Sequence, residues 1–308
     1  MRTILVTGGT GLVGTALIKH LTEKHYKVII LTRSLKDKVA TANVSYALWD
    51  VNNNSIDENA VTNADAIFHL AGAGVMDKKW TPEYKKVIEE SRTKSSALLV
   101  NTLKRINHHV KVIVSSSAIG WYGPDIKPHH FFTEDEPADA AYLGKVCDAW
   151  EKSIGEASTL GIRVCKLRTG IVLSKKGGAY AEFRMPLKFG VASILGDGKQ
   201  MVSWIHIDDL CKQFIFALEN DHMEGSYNAV APKPVNNKTL TLAIAKKVKG
   251  SFYIPLHVPT FVLKLMLGQR SIEILKSATV SAQKIQQQGY TFLYNDINTA
   301  VAAIENEA

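Results

Sequence analysis

Three glycines near the head of the chain have the spacing of a phosphate-binding turn. Thr7-Gly8-Gly9-Thr10-Gly11-Leu12-Val13-Gly14 follows a short run of β-formers and leads into Thr15-Ala-Leu-Ile-Lys-His-Leu, which has helical spacing. In such a turn each glycine has its own task. Gly8 takes the sharp bend off the strand, Gly11 lets a pyrophosphate approach bare backbone, and Gly14 lets the helix pack close on the sheet. The free N–H groups at the helix start, with the helix dipole behind them, suit a phosphate. A strand before the glycines and a helix after them is the context that makes residues 7–14 a dinucleotide site.

The next strand carries the second clue. NAD sites place an acid at the end of the second strand to bond the ribose 2′-hydroxyl. Here that strand ends Ile29-Ile30-Leu31-Thr32-Arg33-Ser34. No acid is present, and Arg33 stands where a 2′-phosphate would lie. A guanidinium fork matches phosphate geometry, which favours NADP over NAD. Asp50, after the third strand, either contacts the adenine amino group or caps a turn. The small residues of Leu70-Ala71-Gly72-Ala73-Gly74 allow a ribose or pyrophosphate to pass closely.

These residues need a scaffold that brings strand ends together. Strand patterns cover Thr3–Thr7, Lys27–Leu31, Val44–Leu48, Ala66–Leu70, Lys111–Ser115, Arg163–Arg168 and Gly225–Ala229, with helical patterns over Leu12–Lys24, Pro82–Ile106 and Leu143–Thr159. Strand–helix alternation predicts an α/β fold with a doubly wound parallel sheet. Residues 1–172 and 201–231 are read as the dinucleotide-binding domain. Residues 173–200 and 232–308, with helical patterns over Ala181–Phe189, Thr239–Lys249 and Pro259–Ala278, are read as a smaller mixed α/β lobe. That lobe is expected over the carboxyl ends of the strands, where ligands bind.

Composition narrows the function classes. The chain has 308 residues, 37 Lys and Arg against 29 Asp and Glu, and three cysteines. Cys147, Cys165 and Cys211 are odd in number and far apart, which fits a reducing compartment and argues against a disulfide scaffold. The apolar segment Phe252–Gly268 is interrupted by Pro255, His257, Pro259 and Lys264 and is too broken to span a bilayer. The net charge of +8 is spread along the chain without a nucleic-acid recognition motif. A cytoplasmic protein with a small-molecule substrate is expected, monomeric or homodimeric, without nucleic-acid or membrane partners. His129 and His130 are adjacent, with no third ligand evident, so no metal site is expected.

The glycine motif, together with His69-Leu-Ala-Gly72, Val114-Ser-Ser-Ser117 and Ser203-Trp-Ile-His-Ile-Asp-Asp209, resembles the extended short-chain dehydrogenase/reductases, which include nucleotide-sugar epimerases and dehydratases. Further segments are similar to an atypical subgroup, the epimerase family proteins. They are Glu90-Ser-Arg92, Ser116-Ser-Ala-Ile-Gly-Trp-Tyr-Gly123, Val146-Cys-x-x-Trp-Glu151 and Leu167-Arg-Thr-Gly-Ile-Val-Leu173. Gln283-Lys-Ile-x-x-x-Gly289-Tyr-x-Phe-x-Tyr294 resembles the subgroup's C-terminal domain of unknown function.

The resemblance implies a catalytic Ser or Thr, Tyr and Lys. The tyrosine moves a proton to or from the substrate oxygen, the lysine lowers the tyrosine pKa, and the serine orients the substrate. Tyrosine and lysine normally stand four apart. Here Tyr142 and Lys145 are three apart, and position 146 is Val146. Aligning instead on Glu151 puts Leu143 and Cys147 in the two roles. Tyr142 and Lys145 are the candidates for the pair, since residues three apart still share a helix face. Ser117, or alternatively Ser116, is the candidate hydroxyl. Tyr122 is usually structural in this family. Arg168, at a strand end, is placed to hold an anionic group, and His206 is of the type that titrates near neutral pH. The leading expectation is an NADP(H)-preferring oxidoreductase or epimerase acting on a small polar or nucleotide-sugar substrate. The alternative is an NADP(H)-binding regulatory or sensor protein with a degenerate site.

Overall fold

A computed structural model describes residues 2–127 and 130–307. The strands are β1 (Thr3–Thr7), β2 (Lys27–Thr32), β3 (Val44–Asp50), β4 (Ser55–Ile56), β5 (Ala66–His69), β6 (Val112–Ala118), β7 (Arg163–Thr169), β8 (Ile171–Leu173), β9 (Val191–Leu195), β10 (Met201–Val202), β11 (Trp204–His206), β12 (Gly225–Ala229), β13 (Val235–Asn236) and β14 (Ile254–Val258). The helices are α1 (Leu12–Glu23), α2 (Glu58–Thr62), α3 (Pro82–Arg105), α4 (Tyr142–Gly155), α5 (Ala179–Arg184), α6 (Ile207–Glu219), α7 (Asn237–Lys249), α8 (Thr260–Leu267), α9 (Ser271–Leu275), α10 (Gln283–Gln287) and α11 (Ile297–Asn306).

Eight strands form the main sheet in the order β12-β7-β6-β5-β1-β2-β3-β4. Every pairing is parallel except the short β3–β4 hairpin. The parallel doubly wound reading therefore holds. The strand order reverses between β1 and β5, which opens a crevice above their carboxyl ends.

Strand alternation divides the core into two layers. Ile4 and Val6 of β1 face α1 and α6, packing with Leu17, Leu21, Leu210 and Phe214, all buried. Leu5, between them, points the other way and packs with Leu98, Leu99 and Leu103 of α3. One run of β-formers thus fastens both helix layers to the sheet, because successive side chains take opposite faces.

Helix α3 begins where Thr81 accepts a bond from the Tyr84 amide at 3.2 Å, with Pro82 at its first position. That start is what capping chemistry and a prolyl first turn favour. A third core joins Leu173, Tyr180, Leu187 and Trp204 to Leu240 and Ile244 of α7 and Val301 and Ile304 of α11. The tail departs from the expected division of the chain. Val280, Ile285, Tyr290 and Phe292 belong to the α1–α6 layer of the main sheet, and Tyr294 and α11 pack in the smaller core.

Several elements differ from the sequence reading. The pattern over Pro259–Ala278 breaks at Gly268, which takes φ +58°, so α8 and α9 replace one long helix. The pattern over Ala181–Phe189 becomes α5 followed by a 3₁₀ turn containing Pro186. The Leu143–Thr159 pattern is helical only to Gly155 and continues as a 3₁₀ segment. Helix α6 has no counterpart in the reading at all. Among the described residues no helix is long and apolar enough to cross a membrane.

The glycine turn is held by contact that no side chain would permit. A methyl group on Gly14 would meet the Gly8 carbonyl oxygen and come within 2.6 Å of the Gly9 Cα. Gly14→Ala should therefore destabilise the protein by about 1–3 kcal/mol through forced separation of α1 from the turn. Urea denaturation checks this, and an unchanged midpoint would contradict the close-packing argument.

Candidate cofactor site and the catalytic positions

Gly8 leaves β1 with φ +68°, and a methyl there would lie 2.8 Å from the Leu70 carbonyl carbon. Gly9 is closed in by Ile30, whose Cγ2 would be 2.8 Å from an added methyl. Gly11 differs from both. A methyl on it would meet only the Gly8 oxygen, at 3.4 Å, and would otherwise fill open space. Thr10 and Gly11 form the exposed lip, and Gly11 is the N-cap of α1 with no side-chain cap. The first-turn amides at Leu12, Val13 and Gly14 have no intrahelical acceptors, and the positive end of the helix dipole lies behind them. This open cradle fits a pyrophosphate. Leu12 also packs under the Gly177–Gly178 turn, which comes over from the smaller lobe.

Thr7 does not reach that cradle. It is fully buried, accepts from the amides of Leu70 and Ala71 at 3.1 Å each, and bonds His69 Nδ1 at 2.8 Å. His69 Nε2 in turn meets Ser96 Oγ at 3.0 Å. Burial pushes the His69 pKa down to about 3, so the ring is neutral and its two nitrogens serve as fixed hydrogen-bonding points. Thr7, expected among the cofactor contacts, acts behind the site by locking the end of β1 to the turn after β5. The Leu70 and Ala71 amides are used in the same lock. Gly72 remains exposed at the tip.

Arg33 is exposed at the end of β2. Asp50 resolves towards the second of its two readings. Its carboxylate accepts from the Asn52 and Asn53 amides at 2.9 and 3.1 Å and from Asn53 Nδ2 at 2.7 Å, closing the turn after β3. Those bonds hold its pKa below the usual carboxylate range.

On the other side of the crevice, the candidate catalytic residues are not brought together. Tyr142 donates its hydroxyl to the Lys85 carbonyl at 2.9 Å and packs edge-on against Trp80, with ring centroids 5.2 Å apart. Burial pushes its pKa up to about 12, away from what a proton donor at neutral pH requires. Lys145 is exposed. The α4 face towards the end of β6 carries Leu143 and Cys147 instead. A methyl on Gly120 would lie 3.3 Å from Leu143 Cβ and 3.6 Å from Cys147 Sγ. Cys147 Sγ is 3.7 Å from the Ala118 carbonyl. Ser117 is buried and donates to Glu151 Oε1 at 2.6 Å, so its hydroxyl is committed inward; Ser116 is half-buried.

Arg168 is also engaged. Its Nε and Nη2 donate to the two Glu151 oxygens at 2.8 and 3.1 Å, and Nη1 donates to the Tyr122 hydroxyl and the Glu134 carbonyl. Its guanidinium carbon lies 3.6 Å from the centre of the Trp121 ring. Ser226 supplies a further bond to Glu151 at 2.8 Å, and Tyr122 donates to Asn228 at 2.7 Å. Arg168 is thus spent on a buried pair and is not free to hold an outside anion. Tyr122 is structural.

His206 is fully buried, and burial pushes its pKa down to about 4, so it does not titrate near neutral pH. Its Nδ1 accepts the Asp208 amide at 3.1 Å as the cap of α6. His130 meets Glu136 at 3.1 Å, while His129 lies outside the described residues. His206, Asp208 and Glu307 have ligand-type atoms within 4.8 Å of one another, a grouping the sequence did not suggest. Asp208 is already bonded by His20 at 2.9 Å.

The Glu151–Arg168 pair gives a pH-dependent test. Burial raises the Glu151 pKa, but the bonds and charge of Arg168, with Ser117 and Ser226, outweigh it and hold the carboxyl below its ordinary value. A depressed folded pKa gives stability that is present above the unfolded value and is lost as pH falls through the folded one. Glu151→Gln should cost about 3–5 kcal/mol at pH 7 by leaving the guanidinium without its partner. The gap between variant and wild type should narrow below about pH 4.3. A gap independent of pH would contradict an ionised pair.

Comparison with known proteins agrees with this architecture and with the resemblance seen in the motifs. The NAD dependent epimerase/dehydratase family matches residues 4–229, and a domain of unknown function, DUF1731, matches residues 258–304. Epimerase family protein SH2119 of Staphylococcus haemolyticus is 33% identical over 303 residues, covering 97% of this chain and 98% of that protein. Among solved structures, human epimerase family protein SDR39U1 (isoform 2) with NADPH superposes with a TM-score of 0.84 at 25% identity, covering 99% of this chain and 100% of that one. A nucleoside-diphosphate sugar epimerase from Corynebacterium glutamicum gives a TM-score of 0.76 at 29% identity, covering 98% of this chain and 57% of that one. With a glycine turn opening at the head of α1, a parallel sheet behind it and these matches along its length, the chain belongs to the NAD dependent epimerase/dehydratase family.

Proposed function

We propose that this protein binds NADP(H) in preference to NAD(H) and acts as an oxidoreductase or epimerase on a small polar or nucleotide-sugar substrate. The observation that carries the cofactor choice is Arg33, exposed at the end of β2 where an NAD site would hold an acid. The human relative of the same fold, solved with NADPH, supports it. Gly8, Gly9, Thr10, Gly11, Leu12, Val13 and Gly14 would hold the pyrophosphate, Arg33 the 2′-phosphate, and the Gly72 tip a ribose. When bound, the nicotinamide would supply or accept a hydride.

The chain's own part is to fix that group, exclude water beneath the Gly177–Gly178 turn and manage a proton without the family's tyrosine–lysine pair. A second reading has its own support. Tyr142 is bonded to Lys85, and Leu143 and Cys147 occupy the α4 face towards β6, an arrangement that fits a cofactor-binding regulatory protein without turnover.

Arg33→Glu should weaken NADPH about 100-fold and NADH by less than about threefold, because it replaces a phosphate partner with a repelling charge. Fluorescence titration reads both. Equal losses would remove Arg33 from the 2′-phosphate. Tyr142→Phe should leave NADPH oxidation by carbonyl or keto-nucleotide-sugar substrates, which are reduced to the alcohol, within about threefold, whereas loss of a true general acid costs about 10²–10⁴-fold. A fall of that size would restore Tyr142 as the proton donor. No turnover by wild-type protein across the panel would favour the regulatory reading.

A further inference from the structure

The treatment of Arg92 contrasts with that of Arg168. It lies on α3 where the crevice above β5 meets α4. Its Nη1 donates to the carbonyls of Ala73 at 3.0 Å and Ile88 at 2.8 Å. Its guanidinium carbon is 4.9 Å from the centre of the Trp150 ring. It is half-buried. Among the described residues it makes no ion pair with a carboxylate, and burial lowers its pKa. A guanidinium carries five N–H donors in a fixed fork, and two carbonyls on Nη1 leave Nη2 and Nε for other partners. Nη2 lies 3.3 Å from where a methyl on the exposed Gly72 would sit, so this part of the fork borders the tip of the crevice. Keeping a partly buried cation without an acid costs free energy, and an acceptor-rich ligand would recover it.

The layout identifies which part of a dinucleotide that ligand would be. Arg33 places the adenine half over β2. A dinucleotide crossing the head of α1 must then run over β1 towards β5 and β6, on the far side of the point where strand order reverses. Its nicotinamide half ends between the Leu70–Gly74 turn and α4, beside Arg92. The family resemblance implies a lysine cation there, on α4. Aligned on Glu151, that position is Cys147, a buried thiol that burial keeps protonated.

We infer that Arg92 supplies from α3 the cation that Cys147 cannot supply from α4, and that it holds the ribose hydroxyls of the nicotinamide half. The inference rests on the NADP(H) reading above. The Trp150 ring lies within cation–π range of the guanidinium, and the Ala73 and Ile88 carbonyls hold Nη1. These contacts make Arg92 a preset fork for two vicinal hydroxyls.

The test separates the two halves of the cofactor. Wild-type protein, Arg92→Met and Arg92→Lys are titrated with NADPH and with 2′,5′-ADP, which keeps the adenine half and its phosphate but lacks the nicotinamide ribose. Arg92→Met should weaken NADPH about tenfold or more, leaving 2′,5′-ADP within about twofold. Arg92→Lys, which keeps the charge and loses the fork, should recover part of that loss. If Arg92→Met does not fold, Arg92→Lys decides alone, with an expected loss of about threefold for NADPH and none for 2′,5′-ADP. Unchanged NADPH affinity, or equal losses for both ligands with a lowered melting temperature, would overturn the inference and leave Arg92 as a packing residue. Wild-type protein binding neither ligand would overturn the cofactor reading itself, and the inference with it.

Discussion

Glu151 and Arg168, buried against each other at the carboxyl ends of β6 and β7, set the geometry of one half of the crevice. The pair is two-pronged and its remaining valences are filled: Ser117 and Ser226 bond the carboxylate, and Tyr122 and the Glu134 carbonyl bond the guanidinium. Through these partners the charges tie together α4, β6, β7 and β12. Asn228 extends the network to the Ser281 carbonyl in the C-terminal segment, 3.1 Å away. A buried ion pair is weak support for stability in itself, but once present it penalises any arrangement that separates it. Here that penalty fixes where α4 sits, and therefore which of its residues face the crevice.

The same pair turns Ser117 and Arg168 inward, away from any ligand. A serine at the end of the fifth long strand and an arginine at the end of the sixth suggest ligand contacts as long as their partners are unknown. Their partners lie 34 and 17 residues away in sequence, on a helix whose rotation the sequence did not define. Tyr142 is a parallel case, since its hydroxyl ends on a backbone carbonyl 57 residues earlier. A carbonyl is present at every residue, so no residue type announced this acceptor. Thr7 belongs to the glycine motif, yet its side chain is fully buried because β1 ends next to β5.

What the sequence showed most clearly was local and steric. Gly8, Gly9 and Gly14 stand where a methyl would strike backbone or a buried side chain, and Gly11 stands where it would not. That distinction follows from one turn and one helix. The parallel sheet was legible because its strands are nearly continuous apolar runs separated by helical patterns. Helix α6 was equally legible, since Leu210, Cys211, Phe214, Ile215, Ala217 and Leu218 recur at helical spacing with polar residues between them and are all buried, yet it has no counterpart among the expected elements. The packing of Val280–Phe292 against the main sheet was not legible. Short apolar groups in a loop-rich tail do not show which of two cores they join.

Arg33 and Arg92 are both without acid partners among the described residues. In the proposed binding mode Arg33 meets the adenine half of the dinucleotide, Arg92 the nicotinamide half, and the glycine turn the pyrophosphate. Whether the purified protein holds an intact phosphorylated dinucleotide is the central question. Calorimetric titration with NADPH, NADP, NADH and NAD tests this directly. Saturable one-site binding of the phosphorylated pair is expected, tighter than that of the unphosphorylated pair by at least about tenfold. No heat with any of the four, or equal affinity for all of them, would contradict it.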